Sequence, residues 1–496
     1  MDADSLDRML LAGSIILLLA ILAVRASVRI GLPSLLIYLA MGVVLGESVL
    51  GIRFDDAKTA HALGFAALVV ILIEGGLTTK WADVRPSLTV GLLLATLGIA
   101  VSVVVIALVA HYVLRLPWEL AVLLGAITSP TDAAAVFTVL RSVPLRPSLR
   151  GALEVESGLN DAPTVLLVVL LSAPGGIAGG TLGFAGIVVY ELVGGVLLGV
   201  LVGLAGAWVL RRVALPASGL YPITVLAIAV LSYAGAAAVH ASGFAAVYVT
   251  ALWLGNSDLP HRSSTRSFAE GFAWLAQIGL FIMLGLLVSP SEFGLEHLVG
   301  GVVVGAVLTL LARPLSVVVC SLPLRLPWRE QGFLSLAGLR GAVPIVLAAI
   351  PVAERVPRSV DVFNVVFVLV VVLTVVTSPA LPWLATRLGV IEERSRDAEV
   401  EAAPLERIAA DLLQVRITQQ SRLHGVEISE LRLTPGTSVS LIVRDETSFT
   451  PDLRTSLRRG DELLVVTPRR DRDATERRLQ DVSRRGRLAG WARDDG

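Results

Sequence analysis

From Met9 to Leu388 the chain is a succession of long apolar blocks separated by short polar segments. A helix needs about 20 apolar residues to cross a hydrocarbon core. The pattern predicts about thirteen such spans, at 9–30, 33–50, 62–79, 87–113, 119–140, 150–172, 184–210, 221–240, 243–256, 268–288, 296–320, 331–352 and 362–388. The first block, Leu10 to Val24, is followed by no small-residue cleavage site, so it reads as a spanning helix and not as a leader. After Arg387 the pattern changes. Residues 404–414 carry apolar positions at helical spacing, and strand-like runs follow at 413–418, 437–444 and 461–467. Pro435-Gly436 and Arg459-Gly460-Asp461 are the turn signals between them. The expected fold class is an all-α polytopic membrane protein followed by a small α/β domain. The expected boundaries are a transmembrane unit at 1–390, a linker at 391–402, the small domain at 403–470 and a charged tail at 471–496.

Two spans are interrupted at their centres. The fifth carries Thr128-Ser129-Pro130-Thr131-Asp132, and the twelfth carries Gly338-Leu339-Arg340-Gly341-Ala342-Val343-Pro344. A mid-span proline removes a backbone donor and clashes with the preceding turn. Such a break survives in lipid only where the freed groups face protein or a wet cavity. The interruptions are seven spans apart, and an odd offset runs the two helices in opposite directions. Inverted repeats of six helices, joined by one linking helix, would produce that arrangement, and paired interruptions point to a transporter's binding site.

Composition agrees with the pattern. The chain has 496 residues and is 55% hydrophobic, with a mean hydropathy of +0.78, above the 45–50% apolar content typical of soluble domains. The lipid bilayer is therefore its surroundings. Its formal net charge of zero averages two unlike parts and implies no nucleic-acid partner. One cysteine, Cys320, leaves no internal disulfide and no multi-cysteine metal centre. Counting Lys and Arg in alternate loops gives fourteen on one side, from Arg25 to Arg329 and including Arg313, and six on the other. Positive residues are retained in the cytoplasm, so the N-terminus is expected outside and the C-terminal domain inside.

An ionised carboxylate in mid-membrane is costly and is a functional hypothesis by default. Asp161 lies about 16 Å along the sixth span, at 1.5 Å per residue, and Asp132 follows the break in the fifth. Two acids thus reach one depth on consecutive helices. Burial as neutral groups, or salt bridging for packing alone, is the structural alternative. In Glu156-Ser157-Gly158-Leu159-Asn160-Asp161, helical spacing puts Ser157 with Asp161 on one stripe and Glu156 with Asn160 on another. Arg340 needs a counter-charge inside the twelfth span, and Glu156 is the expected partner in a structural pair. Thr131 adds a hydroxyl, and the carbonyls freed by Pro130 are further oxygens. Hard cations prefer such oxygen sets. Glu74, beside Gly75-Gly76, is either a member of the ion site, a gate to it, or an interfacial acid. Asn364 and Thr374 are expected to make interhelical hydrogen bonds. The Gly-rich run at 175–180 lacks the Lys-Ser/Thr of a phosphate loop, and no motif marks an enzyme.

The three motifs, Thr128–Asp132, Glu156–Asp161 and Gly338–Pro344, occur in an order that resembles the NhaP-type branch of monovalent cation/proton antiporters, over about residues 9–390. The resemblance implies an inverted-repeat fold with crossing broken helices, a homodimer, and no resident cofactor. It implies that Asp161 binds cation and proton alternately, with Thr131, Asp132, Ser157 and Glu74 as ligands or their support. Asn160 before that aspartate resembles the electroneutral branch. The segment from about Ala403 to Pro468 resembles an RCK (TrkA-C) domain. Such domains accompany potassium transport and bind small regulators, cyclic dinucleotides among them.

The expected function is electroneutral K⁺/H⁺ exchange by alternating access, serving pH homeostasis. Na⁺/H⁺ exchange is the first alternative. An RCK-regulated cation channel is the second, against which stand the titratable acids and the lack of a selectivity-filter sequence. A membrane-anchored sensor is the third.

Overall fold

The computed structural model describes residues 3–30, 34–47, 50–51, 56–132, 145–173, 180–288, 290–391, 399–405, 410–418, 421–445 and 447–486. Residues 133–140 of the fifth expected span, most of the Gly-rich run, most of the linker and the end of the tail lie outside the described residues. The chain divides into two compact units, Met1–Ile391 and Glu392–Gly496.

The first unit is helical. Among the described residues, eight of its helices are long and apolar enough to cross a membrane, and five shorter apolar helices fall in the remaining expected spans. With the sixth and twelfth spans each given as two segments, the helices in chain order are α1 (Ala3–Ile30), α2 (Ser34–Leu45), α3 (Ala57–Thr78), α4 (Arg85–Tyr112), α5 (Trp118–Thr128), α6 (Pro147–Leu159), α7 (Asp161–Ser172), α8 (Gly180–Arg212), α9 (Leu220–Ala238), α10 (Gly243–Gly255), α11 (Arg262–Leu286), α12 (Leu295–Leu324), α13 (Trp328–Leu336), α14 (Ala342–Ala353) and α15 (Ser359–Leu388). The sixth span is the pair α6–α7, and the twelfth is the pair α13–α14. Local chemistry sets many of the ends. Asp56 accepts from the amides of Lys58 and Thr59 at 3.0 and 3.2 Å to cap α3, and Gly389, at φ +64°, ends α15. Leu201, Leu231 and Leu310 are more than 60% exposed on the outside of this unit. Large outward aliphatic side chains on most helices suit a hydrocarbon surround.

Small residues bring the helices together. Where α2 crosses α11, a Cβ on Gly42 would strike the Ile282 carbonyl oxygen and lie 2.8 Å from Gly285 Cα. Gly76 and Gly255 play the same part between α3 and α10, where an added Cβ would lie 2.9 Å from the Leu252 amide nitrogen and 2.6 Å from the Leu77 carbonyl oxygen. Backbones this close gain dispersion contacts that lipid cannot replace.

The two interrupted spans meet at their breaks. Helix α5 stops at Thr128, α13 stops at Leu336 and α14 restarts at Ala342, and the Asp132 amide donates to Leu339 O at 3.0 Å. Pro344 lies within the first turn of α14, so the break precedes it. Its missing N–H breaks no bond there, since the first amides of a helix have no intrahelical acceptor; the Arg340 carbonyl, ahead of the helix, accepts from Thr374 Oγ1 of α15 at 2.8 Å.

A repeat is visible around this crossing. Arg115-Leu116-Pro117-Trp118, at the start of α5, recurs as Arg325-Leu326-Pro327-Trp328 at the start of α13. Both arginines are left-handed, at φ 55° and 51°. The preceding helices α4 and α12 each contain a five-residue π-helical bulge, Leu94–Gly98 and Leu308–Ala312. Ser102 and Ser316, each four residues past its bulge, share a hydrogen bond of 2.8 Å. The fourth span thus answers the eleventh and the fifth answers the twelfth, as inverted repeats require.

The second unit is an antiparallel sheet in the order β1-β2-β5-β3-β4, built from β1 (Glu399–Leu405), β2 (Ala410–Arg416), β3 (Ser438–Arg444), β4 (Thr447–Phe449) and β5 (Glu462–Pro468), with helix α16 (Arg472–Arg485). Its core contains Leu413, Val415, Ile442, Leu463, Val465, Leu479 and Val482. Two expectations change here. The helical spacing read at 404–414 is strand over its described residues, because β2 alternates buried Asp411, Leu413 and Val415 and pairs with β5 from Ala410↔Pro468 to Arg416↔Glu462. The folded unit also runs past residue 470, since α16 contributes Leu479 and Val482 to the core. Asp461, fully buried in the Arg459–Asp461 turn, takes two bonds from Arg444, at 2.8 and 2.7 Å, and one from the Arg458 amide at 2.7 Å.

The glycine crossing gives the first prediction. Replacing Gly285 by valine should destabilise the first unit by about 1–3 kcal/mol through overpacking, read as a lower thermal unfolding midpoint of the purified protein. Gly279→Ala on the same helix should not lower the midpoint, because nothing lies within 4 Å of its Cβ position and alanine is the better helix former.

Candidate functional site

The site is built from the end of α5, the α6–α7 junction and the break between α13 and α14. Helix α6 carries Glu156 and Ser157, and the helical path is interrupted at Asn160 before α7 begins with Asp161. Pro163 accounts for the interruption, since it cannot donate to the Leu159 carbonyl four residues back and its ring crowds that turn. Thr164 repairs the damage with its hydroxyl, donating to Asn160 O at 2.8 Å and Asp161 O at 3.0 Å.

Five of the residues read from the sequence come together here. Thr131 Oγ1 and Ser157 Oγ are 3.1 Å apart, and Asn160 Nδ2 donates to Thr131 O at 3.2 Å and to its hydroxyl at 2.5 Å. Asp132 lies close enough to Asp161 for their charges to act on each other. Asp132, Asp161, Thr131, Ser157 and Asn160 are all at most 1% exposed. Asp132 Oδ2 accepts from the Ala342 amide at 2.5 Å, at the N-terminus of α14, where the helix dipole favours an anion. Gly341 is required beside it, because a Cβ there would collide with that carboxylate oxygen. Asp161 Oδ1 and Asn160 Oδ1 are buried and have no hydrogen-bond partner. A buried site with unsatisfied oxygens is short of positive charge. Glu74 is buried on α3, 4% exposed.

The stripes expected on α6 divide differently. Asn160 belongs with Ser157 and Asp161 around Thr131: its backbone is still right-handed helical, and the three-residue step from Ser157 also shares a face. Glu156 does point elsewhere, but the expected pair with Arg340 is not formed. Glu156 is held by Arg313 of α12 through both its carboxylate oxygens, Arg313 Nη1 to Oε1 and Arg313 Nη2 to Oε2, the latter at 2.8 Å. Arg313 is 4% exposed, so it is a buried residue of a span and not one of the fourteen loop charges. An arginine in the apolar block 296–320 was the signal that could have found it.

Arg340 donates instead to backbone, Nε to Thr128 O at 2.9 Å and Nη1 to Gly338 O at 3.1 Å. Those carbonyls close the C-terminal ends of α5 and α13, where helix dipoles are negative and carbonyls lack intrahelical partners. The guanidinium thus neutralises two half-helix ends. The carbonyls of the broken fifth span, read from the sequence as ion ligands, are engaged at Thr128 by Arg340 and at Thr131 by Asn160.

The buried ion pair gives the second prediction. Glu156→Gln or Arg313→Met should each cost about 3–5 kcal/mol by stranding one buried charge, and the double substitution should recover part of it. Thermal unfolding of the purified variants is the measurement, and an undiminished midpoint for both single variants would contradict the pairing.

Residues 14–387 match the family model described as sodium/hydrogen exchanger, transmembrane, and residues 412–480 match the TrkA-C domain. A K(+)/H(+) antiporter NhaP2 of Shewanella sp. (strain MR-4) is 34% identical over 474 residues, covering 94% of this chain and 82% of that protein. A K(+)/H(+) antiporter NhaP of Alkalimonas amylolytica is 37% identical over 420 residues, covering 82% and 71%. Among solved structures, the sodium proton antiporter MjNhaP1 of Methanocaldococcus jannaschii at pH 8 superposes with a TM-score of 0.64 at 21% identity, over 77% of this chain and 99% of that one.

Proposed function

The chain belongs to the sodium/hydrogen exchanger family, and from that premise we propose that it exchanges a monovalent cation for a proton at Asp161. The observation that carries this reading is a buried carboxylate whose Oδ1 has no hydrogen-bond partner, next to the hydroxyls of Ser157 and Thr131 and a second aspartate. A bare cation or a proton would each satisfy that oxygen, and both cannot do so at once. Competition for one carboxylate is the elementary requirement of coupled exchange.

In this reading Asp132 stays ionised, since the Ala342 amide and the positive end of α14 favour its charge. It supplies a fixed negative charge, Thr131 and Ser157 supply neutral oxygens, and Glu74 supports the ligand set. Asn160 positions Thr131 and does not titrate, so one proton moves against one cation and the exchange is electroneutral. Alternating access would then carry the loaded site between the two membrane faces. The relatives named K(+)/H(+) antiporters support potassium. Sodium is the second reading, supported by the naming of the structural neighbour. The loop charges, thirteen once Arg313 is set aside against six, favour an outside N-terminus. The TrkA-C match supports a cytoplasmic regulatory domain that takes a small ligand, such as a cyclic nucleotide, and the family resemblance supports a homodimer.

Two experiments test the proposal in proteoliposomes with a luminal pH dye. A gradient of K⁺, Na⁺ or Li⁺ alone should change luminal pH with the wild-type chain, and Asp161→Asn should reduce this to the protein-free background while eluting as the same assembled species. Exchange by Asp161→Asn at the wild-type rate would remove Asp161 from the mechanism. Separately, a membrane potential of either sign, set with an ionophore for an ion that is not transported, should leave rate and endpoint unaltered. Uphill cation movement driven by the potential would show unequal stoichiometry and make Asp132 a second proton carrier.

A further inference from the structure

Helix α6 presents one stripe from solvent to the ion site. Arg150, half exposed, donates from Nε to Glu154 Oε1 at 2.9 Å, and the Glu154 side chain is only 7% exposed. Gly158 is four residues further on and Asp161 another three, steps that stay on one helical face. The Glu154 to Asp161 rise is about 10 Å at 1.5 Å per residue. Between them stands Tyr248 of α10. A Cβ built on Gly158 would lie 2.5 Å from Tyr248 Cζ and 2.6 Å from Cε2, so the ring occupies the space that any other residue's side chain would take. The Tyr248 side chain is buried, and its hydroxyl has no hydrogen-bond partner. Tyr248 is also tied to α3, since a Cβ on Gly76 would sit 2.9 Å from Tyr248 O. Its ring therefore rides on the α3–α10 pair, whereas the glycine it covers belongs to the helix that bears Ser157.

We propose that Tyr248 is a gate for the cation site at the Arg150 end, with Gly158 as its seat. This rests on the reading of Asp161 as the exchange carboxylate. The ring, seated on bare backbone, closes the route between Glu154 and Asp161. A cation entering from the Arg150 end reaches Asp161 when α6 shifts against α10 and the ring leaves the glycine. Tyr248 and Gly158 are positioning residues.

The test reads accessibility and not transport. The native cysteine, Cys320, is buried. In the full chain with Cys320→Ala and a Ser157→Cys probe, in vesicles of known sidedness, a cationic methanethiosulfonate is applied from the Arg150 side and then from the other. Tyr248→Leu and Gly158→Ala should each raise the labelling rate from the Arg150 side by about tenfold or more, the change expected when a minor open state becomes a major one. Tyr248→Phe keeps the ring and should label like the parent. Unchanged labelling in Tyr248→Leu, or an equal rise from both sides, would overturn the gate. If Gly158→Ala does not assemble, Tyr248→Leu, which keeps apolar bulk, decides alone. Because labelling needs no exchange, a chain that fails to exchange would sink the proposed function while leaving the gate result readable.

Discussion

Two helices are interrupted inside an apolar unit, and every backbone group released there has to be satisfied without bulk water. Each such group left bare in a low-dielectric interior costs on the order of 1–3 kcal/mol. The structure meets the constraint with opposite charges at opposite ends. Arg340 covers the carbonyl ends of α5 and α13 through Thr128 O and Gly338 O, and Asp132 covers the amide end of α14 at Ala342. Thr374 takes up the Arg340 carbonyl ahead of α14. These contacts fix the crossing, and the crossing places Asp132 and Thr131 where α6 and α7 can reach them.

Once those demands are met, the oxygens left over define the site. The Asp161 and Asn160 Oδ1 atoms are buried and unbonded, while Glu156, on the same helix, is fully engaged by Arg313. The division is physically sensible. A carboxylate already bonded to a guanidinium gains little from a cation, whereas an unbonded one gains a great deal. The Arg313 pair also locks α6 to α12, so the helix bearing Ser157 is held to the helix that precedes the second break. Packing against α10 is of another kind, a ring against a bare glycine backbone with no charge pair, and contacts of that sort resist sliding less than a buried ion pair does.

The sequence by itself determined the apolar blocks, both interruptions, the two aspartates within apolar blocks and the presence of a small module with strands after residue 413. All of these are local properties: hydropathy over about 20 residues, a proline's missing donor, or a carboxylate inside an otherwise apolar block. It also contained signals that only become legible beside the fold, such as the repeated Arg-Leu-Pro-Trp before each broken helix and the lone arginine in the block 296–320. Tertiary structure decided the partners. Glu156 and Arg313 are 157 positions apart, and nothing in local spacing ranks Arg313 above Arg340. The path of the α6–α7 junction depended on how Thr164 and Thr131 answered the Pro163 interruption, and the 404–414 segment became strand because β5 offered it a ladder. Local periodicity states which face of an element is apolar; which other element covers it, and which charge completes it, is settled only when distant segments pack.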